Sequence, residues 1–325
     1  YKKGMNDMRG MIYPCKVAVV GAGNMSNEHI KAFSDIPGVE IVGIYSRTRS
    51  KAVDIADRYN IPVVADSLEE LWNKTSANLV VITVNVRFIA DMVRQCVQWP
   101  WKILAEKPIG IDAAESALLV QELGENGGRV FAALNRRFYS STLAALQNIA
   151  ADNSPRYIEV LDQQEPEKLL QAGFDPLEIK NWMYANSIHL IDYLRIFGRG
   201  SIEEVQTILP WSEPAPMVVS AAIRFSSGDM GLYHALWNAP GPWAVSVTTK
   251  TCRWEMRPLE KACLQQQGSR VRKEIETAPF DINFKPGLRY QAEEAVKAAL
   301  GMPSHAVTLQ EADMTMQLIS KIYHK

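Results

Sequence analysis

The 325-residue sequence is poor in the features that announce a specialised class of protein. Its four cysteines are Cys15, Cys96, Cys252 and Cys263, and none forms a CxxC pair. No Cys/His grouping has zinc-ligand spacing, so no metal is expected. Thiols this sparse and scattered read as reduced residues of a cytoplasmic protein. Charge of one sign is also missing: 35 Lys and Arg against 36 Asp and Glu leave a formal net charge of −1. That balance argues against a nucleic-acid partner and leaves recognition to local groups. Apolar runs such as Leu79–Val84 are strand-sized, which excludes a membrane-spanning helix. Repeats, low-complexity tracts, GxSxG, HExxH and Walker loops are absent. The opening YKKGMNDMRGM contains Met5, Met8 and Met11 but no hydrophobic signal core. Residues 1–12 are therefore expected to be a flexible extension.

What is present is a pattern that changes once. The length suits two domains. Up to Asn135, apolar runs alternate with helical stretches. The runs are Lys16–Gly21, Glu40–Tyr45, Leu79–Val84, Lys102–Ala105 and Arg129–Ala133. Between them lie helical patterns at Ser26–Phe33, Ser50–Tyr59, Leu68–Lys74, Arg87–Val97 and Ala113–Leu123. Strands without alternation are buried on both faces, so residues 13–135 predict a doubly wound, parallel Rossmann sheet. After Asn135 the texture differs. A helix near Ser141–Ile149, a strand at Tyr157–Asp162 and a long helix at Asn181–Phe197 lead into consecutive strands. These are Glu204–Leu209, Val218–Phe225, Met230–Leu236, Ala244–Thr249 and Cys252–Arg257, separated by turn residues. Helices at Gly287–Leu300 and Thr308–Tyr323 end the chain. Residues 136–325 thus predict an α+β domain with an open, mainly antiparallel sheet that holds the substrate.

The segment VAVVGAGNMSNEHI is the strongest local signal. Gly21 permits a tight turn after the first strand, and Gly23 lets the backbone approach a pyrophosphate. The helix opening at Asn24 and Met25 then offers unpaired N–H groups to the anion. Ser26 stands where a third glycine is usual. At the end of the second strand, the acidic residue that commonly binds the ribose of NAD is replaced by Ser46, followed by Arg47 and Thr48, with Arg49 and Lys51 nearby. A cationic, hydroxyl-bearing cluster suits a 2′-phosphate, so the sequence points to NADP over NAD.

Three further motifs follow in order: Ala105-Glu106-Lys107-Pro108, Asn135-Arg136-Arg137-Phe138, and Asn186-Ser187-Ile188-His189-Leu190-Ile191-Asp192. With the glycine loop, these resemble the Gfo/Idh/MocA family of sugar and polyol oxidoreductases. Late features such as Pro258–Glu260 and Phe284–Gly287 extend the resemblance over essentially the whole chain. It implies that Lys107, beside Glu106, lies next to the nicotinamide and the reacting carbon, with a cis bond before Pro108. It also implies a sugar-like small-molecule substrate, and a homodimer or homotetramer. Imidazole titrates near neutrality, which makes His189 the candidate acid/base, and Asp192 shares its helix face. Thr83 and Asn85 fall where the family approaches the nicotinamide ribose. Arg137, Tyr184 and Asn186 are candidate substrate contacts; Trp182, Trp237 and Trp243 are candidates for stacking on a sugar ring. The sequence departs from the family at Ala185, where an Asp is usual four residues before the His, and at Phe88. The first departure keeps a second reading open: a cofactor-binding sensor or scaffold with little turnover.

Overall fold

The computed structural model describes residues 13–213 and 216–325, so the expected extension over 1–12 lies outside the described residues. The chain divides into two compact units: one runs to Phe138 and includes Phe280–Asp313, the other comprises Tyr139–Pro279 and Met314–Lys325.

The first unit carries a six-stranded parallel sheet in the order β3-β2-β1-β4-β5-β6. Its strands are β1 (Cys15–Val20), β2 (Val39–Tyr45), β3 (Val64–Ala65), β4 (Leu79–Ile82), β5 (Lys102–Ala105) and β6 (Val130–Ala132). Helices α1 (Asn24–Ser34), α2 (Arg49–Tyr59), α3 (Leu68–Thr75), α4 (Ile89–Cys96) and α5 (Ala113–Leu123) connect them. The order reverses at β1 and β4, so the carboxyl ends of those strands open a crevice. Every residue of β4 is buried, as an unbroken Leu-Val-Val-Ile run requires. Ser67 caps α3 by accepting from Glu70 N at 3.0 Å, and the Glu70 carboxylate reaches back to the amide of Asp66. The two-residue β3 carries too short a pattern to stand out in the sequence.

The boundary expected at residue 135 is only half the division. Phe280–Asp313 returns to the first unit because one of its helices is apolar on one face. Leu288, Ala292, Ala295 and Val296 join Val17, Phe33, Leu79 and Val81 in a common core. Burial there pushes the Cys15 thiol up to about 11, which leaves it inert.

The second unit is built on an eight-stranded sheet, β14-β13-β12-β11-β7-β10-β9-β8. The strands are β7 (Tyr157–Gln164), β8 (Ile202–Leu209), β9 (Val218–Phe225), β10 (Met230–Trp237), β11 (Ala244–Thr248), β12 (Cys252–Met256), β13 (Ala262–Gln266) and β14 (Arg272–Ile275). Only the β7–β10 pair is parallel among the described pairings. The last two strands escape the sequence pattern because their side chains are mostly exposed or half-buried. Helices α6 (Ser140–Ile149), α7 (Pro166–Gln171), α8 (Pro176–Lys180) and α9 (Ile188–Phe197) belong to this unit. The long helix expected over Asn181–Phe197 is interrupted. Asn181 caps α8, its amide donating to Leu177 O at 3.1 Å, and a π turn over Met183–Ser187 precedes α9. Beyond these, α10 (Pro279–Asn283), α11 (Leu288–Ala299) and α12 (Leu309–Tyr323) close the chain.

Candidate functional site

In the first unit, the glycine loop and the end of β2 border a groove of about 340 Å³. Gly21 has φ +119°, and a Cβ there would stand 2.6 Å from Thr83 Oγ1. Glycine is required on both counts. At Gly23 a Cβ would meet nothing nearer than Thr83 O at 3.9 Å, so this backbone faces open space. Ser26 does the work of the missing third glycine differently. Its hydroxyl accepts from Gly23 N at 3.0 Å, lies 3.1 Å from Gly21 O, and pairs with Thr83 Oγ1 at 2.8 Å. Those bonds join the loop to the end of β4. Asn24 is exposed; Met25 is half-buried, with its sulfur 3.2 Å from Lys285 Nζ.

The cationic cluster after β2 separates into two parts. Arg49 turns away and pairs with Asp66 at 2.5 Å. Arg47, Ser46, Thr48 and Lys51 line the groove, and the Arg47 guanidinium lies 4.1 Å from the centre of the Phe88 ring. The departure at Phe88 thus has a physical consequence: it supplies a cation–π platform that holds Arg47. The groove also carries Asp91, which is paired with Arg94 at 2.9 Å. Asn85 caps the turn into α4 by accepting from Arg87 N at 3.1 Å.

Beyond β5 the Lys107–Pro108 peptide is cis, and Lys107 is half-buried. Its neighbour Glu106 is buried and accepts from the Lys107 amide at 3.3 Å. The other carboxylate oxygen lies 2.7 Å from His29 Nε2. Burial alone would raise the Glu106 carboxyl, but His29 and Lys107 outweigh it and hold the group below the usual carboxylate range. His29 is completely buried in α1 and was not recognisable as functional from sequence. Its spacing gives no signal, since it shares the buried face of α1 with Ile30 and Phe33. Arg137, also in this unit, pairs with Glu311 at 3.2 Å.

The second unit holds the other expected residues. His189 is buried in the first turn of α9, its ring 6.4 Å from that of Trp243. Asp192 is buried and accepts from Thr315 Oγ1 at 2.8 Å. Ala185 sits buried in the π turn. Tyr184 is interior, with its hydroxyl donating to Lys325 O at 2.8 Å. Trp237 is buried among Trp211 and Tyr323. Trp243 donates to Gln163 O at 2.8 Å.

A buried polar chain runs along the same region. The inward residues of β7 are Ile158, Val160, Asp162 and Gln164, so its core face turns polar toward its end. Asp162 accepts from Tyr233 Oη at 2.7 Å and from Gln164 Nε2 at 2.6 Å, and Tyr233 pairs with Tyr323 at 2.9 Å. Gln164 Oε1 accepts from both Trp182 Nε1 and Asn186 Nδ2, each at 2.8 Å. Burial pushes the Asp162 carboxyl and the Tyr233 phenol up. Among the described residues no group of His, Cys, Asp or Glu could hold a metal ion, and no helix is long and apolar enough to cross a membrane.

Residues 15–134 match the model of the Gfo/Idh/MocA family, an oxidoreductase family with an NAD-binding Rossmann fold. A trans-1,2-dihydrobenzene-1,2-diol dehydrogenase from Xenopus tropicalis is 30% identical over 138 residues, 42% of this chain and 41% of that enzyme. An inositol 2-dehydrogenase from Pseudarthrobacter chlorophenolicus is 28% identical over 198 residues, 60% of this chain and 57% of the other. The aligned part thus spans about half the length of these relatives. In fold, a crystal structure of a putative NADPH-dependent oxidoreductase from Desulfitobacterium hafniense superposes with a TM-score of 0.79 at 18% identity, covering 95% of this chain and 94% of the other.

Proposed function

We propose that this chain, whose residues 15–134 belong to the Gfo/Idh/MocA oxidoreductases, moves hydride between NADP(H) and a ring hydroxyl or ketone of a cyclitol, sugar or nucleotide-linked sugar. The observation that carries the reading is the groove. A backbone open at Gly23 meets a wall of Ser46, Arg47, Thr48 and Lys51 where an acid would favour the bare ribose. Gly21, Gly23, Asn24 and Met25 fit a pyrophosphate through helix N-terminal amides. Ser46, Arg47 and Thr48 fit the 2′-phosphate, and Thr83 and Asn85 fit the nicotinamide ribose. A bound nicotinamide would supply the hydride acceptor or donor.

The protein's part is the proton and the oxygen. Lys107, its backbone tied to the Glu106 carboxylate, is assigned to hold the substrate oxygen and stabilise alkoxide charge. His189 is assigned to take the alcohol proton, and Asp192, which accepts from Thr315 and shares the helix face of His189, to orient the imidazole or bind a substrate hydroxyl. Among the candidate substrate contacts, Asn186 fits best, because Gln164 holds only its amide nitrogen, whereas the Tyr184 hydroxyl is bound to Lys325 O and the Arg137 guanidinium to Glu311. The buried Ala185 favours one alternative, a cofactor-binding sensor of the same fold with little turnover. A homodimer or homotetramer in the cytoplasm completes the proposal, and sedimentation measures the assembly.

The test is a rate screen on the absorbance of reduced nicotinamide, with both cofactors against cyclitols, sugars and nucleotide-linked sugars. Turnover with one of these classes is expected. Tight cofactor binding with no turnover across the panel would favour the sensor, and absence of cofactor binding would remove both readings.

A further inference from the structure

The hydrogen bonds around Gln164 decide which end of Asn186 faces outward. An indole N–H only donates. The Gln164 atom 2.8 Å from Trp182 Nε1 must therefore be its acceptor, Oε1. The amide nitrogen then occupies the other corner, where it lies 2.6 Å from Asp162 Oδ1. Asp162 has its own second anchor, the Tyr233 hydroxyl at 2.7 Å. Two independent neighbours, one donor-only and one a carboxylate, thus fix the same orientation of Gln164.

That orientation is passed on. Gln164 Oε1 can receive only a donor, so the Asn186 atom 2.8 Å from it is Nδ2. The carbonyl oxygen of Asn186 is turned away from the network, and none of the described residues engages it. Gln164 is 1% exposed, whereas Asn186 is half-buried, so the chain runs from the interior to the boundary of the unit. Asn186 lies beside Ala185 and three residues before His189.

We propose that Asn186 presents its carbonyl oxygen alone to the substrate, selecting a ring hydroxyl that donates, and that Gln164 is the positioning residue that enforces this. The inference rests on the dehydrogenase reading above and adds to it the polarity of one substrate contact. A free asparagine offers either end and accepts hydroxyl, carbonyl, ether or fluorine alike. A locked one discriminates, because a group that only accepts would leave two acceptors facing each other.

Two measurements test it. The first concerns the lock. In the ¹⁵N-labelled protein the Asn186 side-chain amide, identified by its loss in Asn186→Ala, should move strongly in Gln164→Leu and little in Trp182→Phe, where Asp162 still anchors Gln164. An Asn186 resonance unmoved by Gln164→Leu would overturn the orientation. The second concerns recognition. Initial rates are compared for myo-inositol and its singly fluorinated deoxy analogues, since fluorine cannot donate. At one ring position, replacing hydroxyl by fluorine should raise KM about tenfold with kcat nearly unchanged. The penalty should vanish in Asn186→Ala, shrink in Gln164→Leu, and persist in Trp182→Phe. An unchanged penalty in folded Asn186→Ala would overturn the proposal, as would the lack of any fluorine-sensitive position. Wild-type protein that turns over no cyclitol or sugar fails the dehydrogenase reading instead, and the amide resonance still decides the lock.

Discussion

The polar groups of the two units are arranged in opposite ways. Around the glycine loop they border open space: the bare backbone at Gly23, the exposed Asn24, and a guanidinium stacked on Phe88. In the second unit they are bound to one another: Asp162 to Tyr233 and Gln164, Gln164 to Trp182 and Asn186, Asp192 to Thr315. A groove that must take a large anion needs many unused donors in fixed positions. A region that must distinguish similar hydroxyls does better with few, because each atom left over has a defined polarity.

The contrast can be broken most severely in the second unit, where removing one partner strands the others. Asp229 is fully buried; its carboxylate accepts from Arg199 at 2.7 and 2.9 Å and from the amides of Arg156 and Arg199 at 2.8 and 3.0 Å. Asp229→Ala should lower unfolding stability by about 3–5 kcal/mol in a urea titration. A loss under about 1 kcal/mol would show that this unit tolerates unpaired groups. Burial by itself would raise the Asp229 carboxyl, but Arg199 and the amides outweigh it and hold it below its ordinary value. The sign follows. Its stabilisation is full above the unfolded pKa of about 3.9 and is lost as pH falls through the lower folded value. Wild-type stability should therefore decline on acidification more steeply than that of Asp229→Ala.

In the first unit the corresponding break is steric. Gly21→Ala places a Cβ 2.6 Å from Thr83 Oγ1 at φ +119°, which should cost about 2–5 kcal/mol and abolish tight cofactor binding. Calorimetry with NADPH reads the binding, and thermal melts read the stability. A smaller effect is expected at the rim. Arg47→Ala should weaken NADPH by about 1.5–3 kcal/mol while NADH changes little. Wild-type binding that favours NADH about tenfold would reverse the cofactor assignment. Phe88→Ala should cost about 0.5–1 kcal/mol of NADPH affinity, since it removes the ring that holds the guanidinium.

The same contrast explains what could be read in advance. Outward-facing polar groups sit on loops, where Gly21, Gly23, Ser46 and Arg47 break an apolar pattern and stand out. Buried ones share the spacing of the core. Asp162 and Gln164 continue the alternation of Ile158 and Val160, so the pattern marks a strand without marking its polar end. His29 lies on the buried face of α1 beside Ile30 and Phe33, and only its hydrogen bond to Glu106 gives it meaning. The return of α11 to the first unit was hidden for a different reason. Its apolar face shows that it packs, but not against which of two cores.

The proposed mechanism gives Lys107 the oxygen and His189 the proton of a hydride transfer. The direct measurement is kcat for the best substrate of the screen in wild type, Lys107→Ala and His189→Ala, with the NADPH dissociation constant taken in parallel. Each positioned group is expected to contribute about 10²–10⁴-fold to kcat, with NADPH affinity held within about threefold. Near-wild-type kcat in both folded variants would contradict the account.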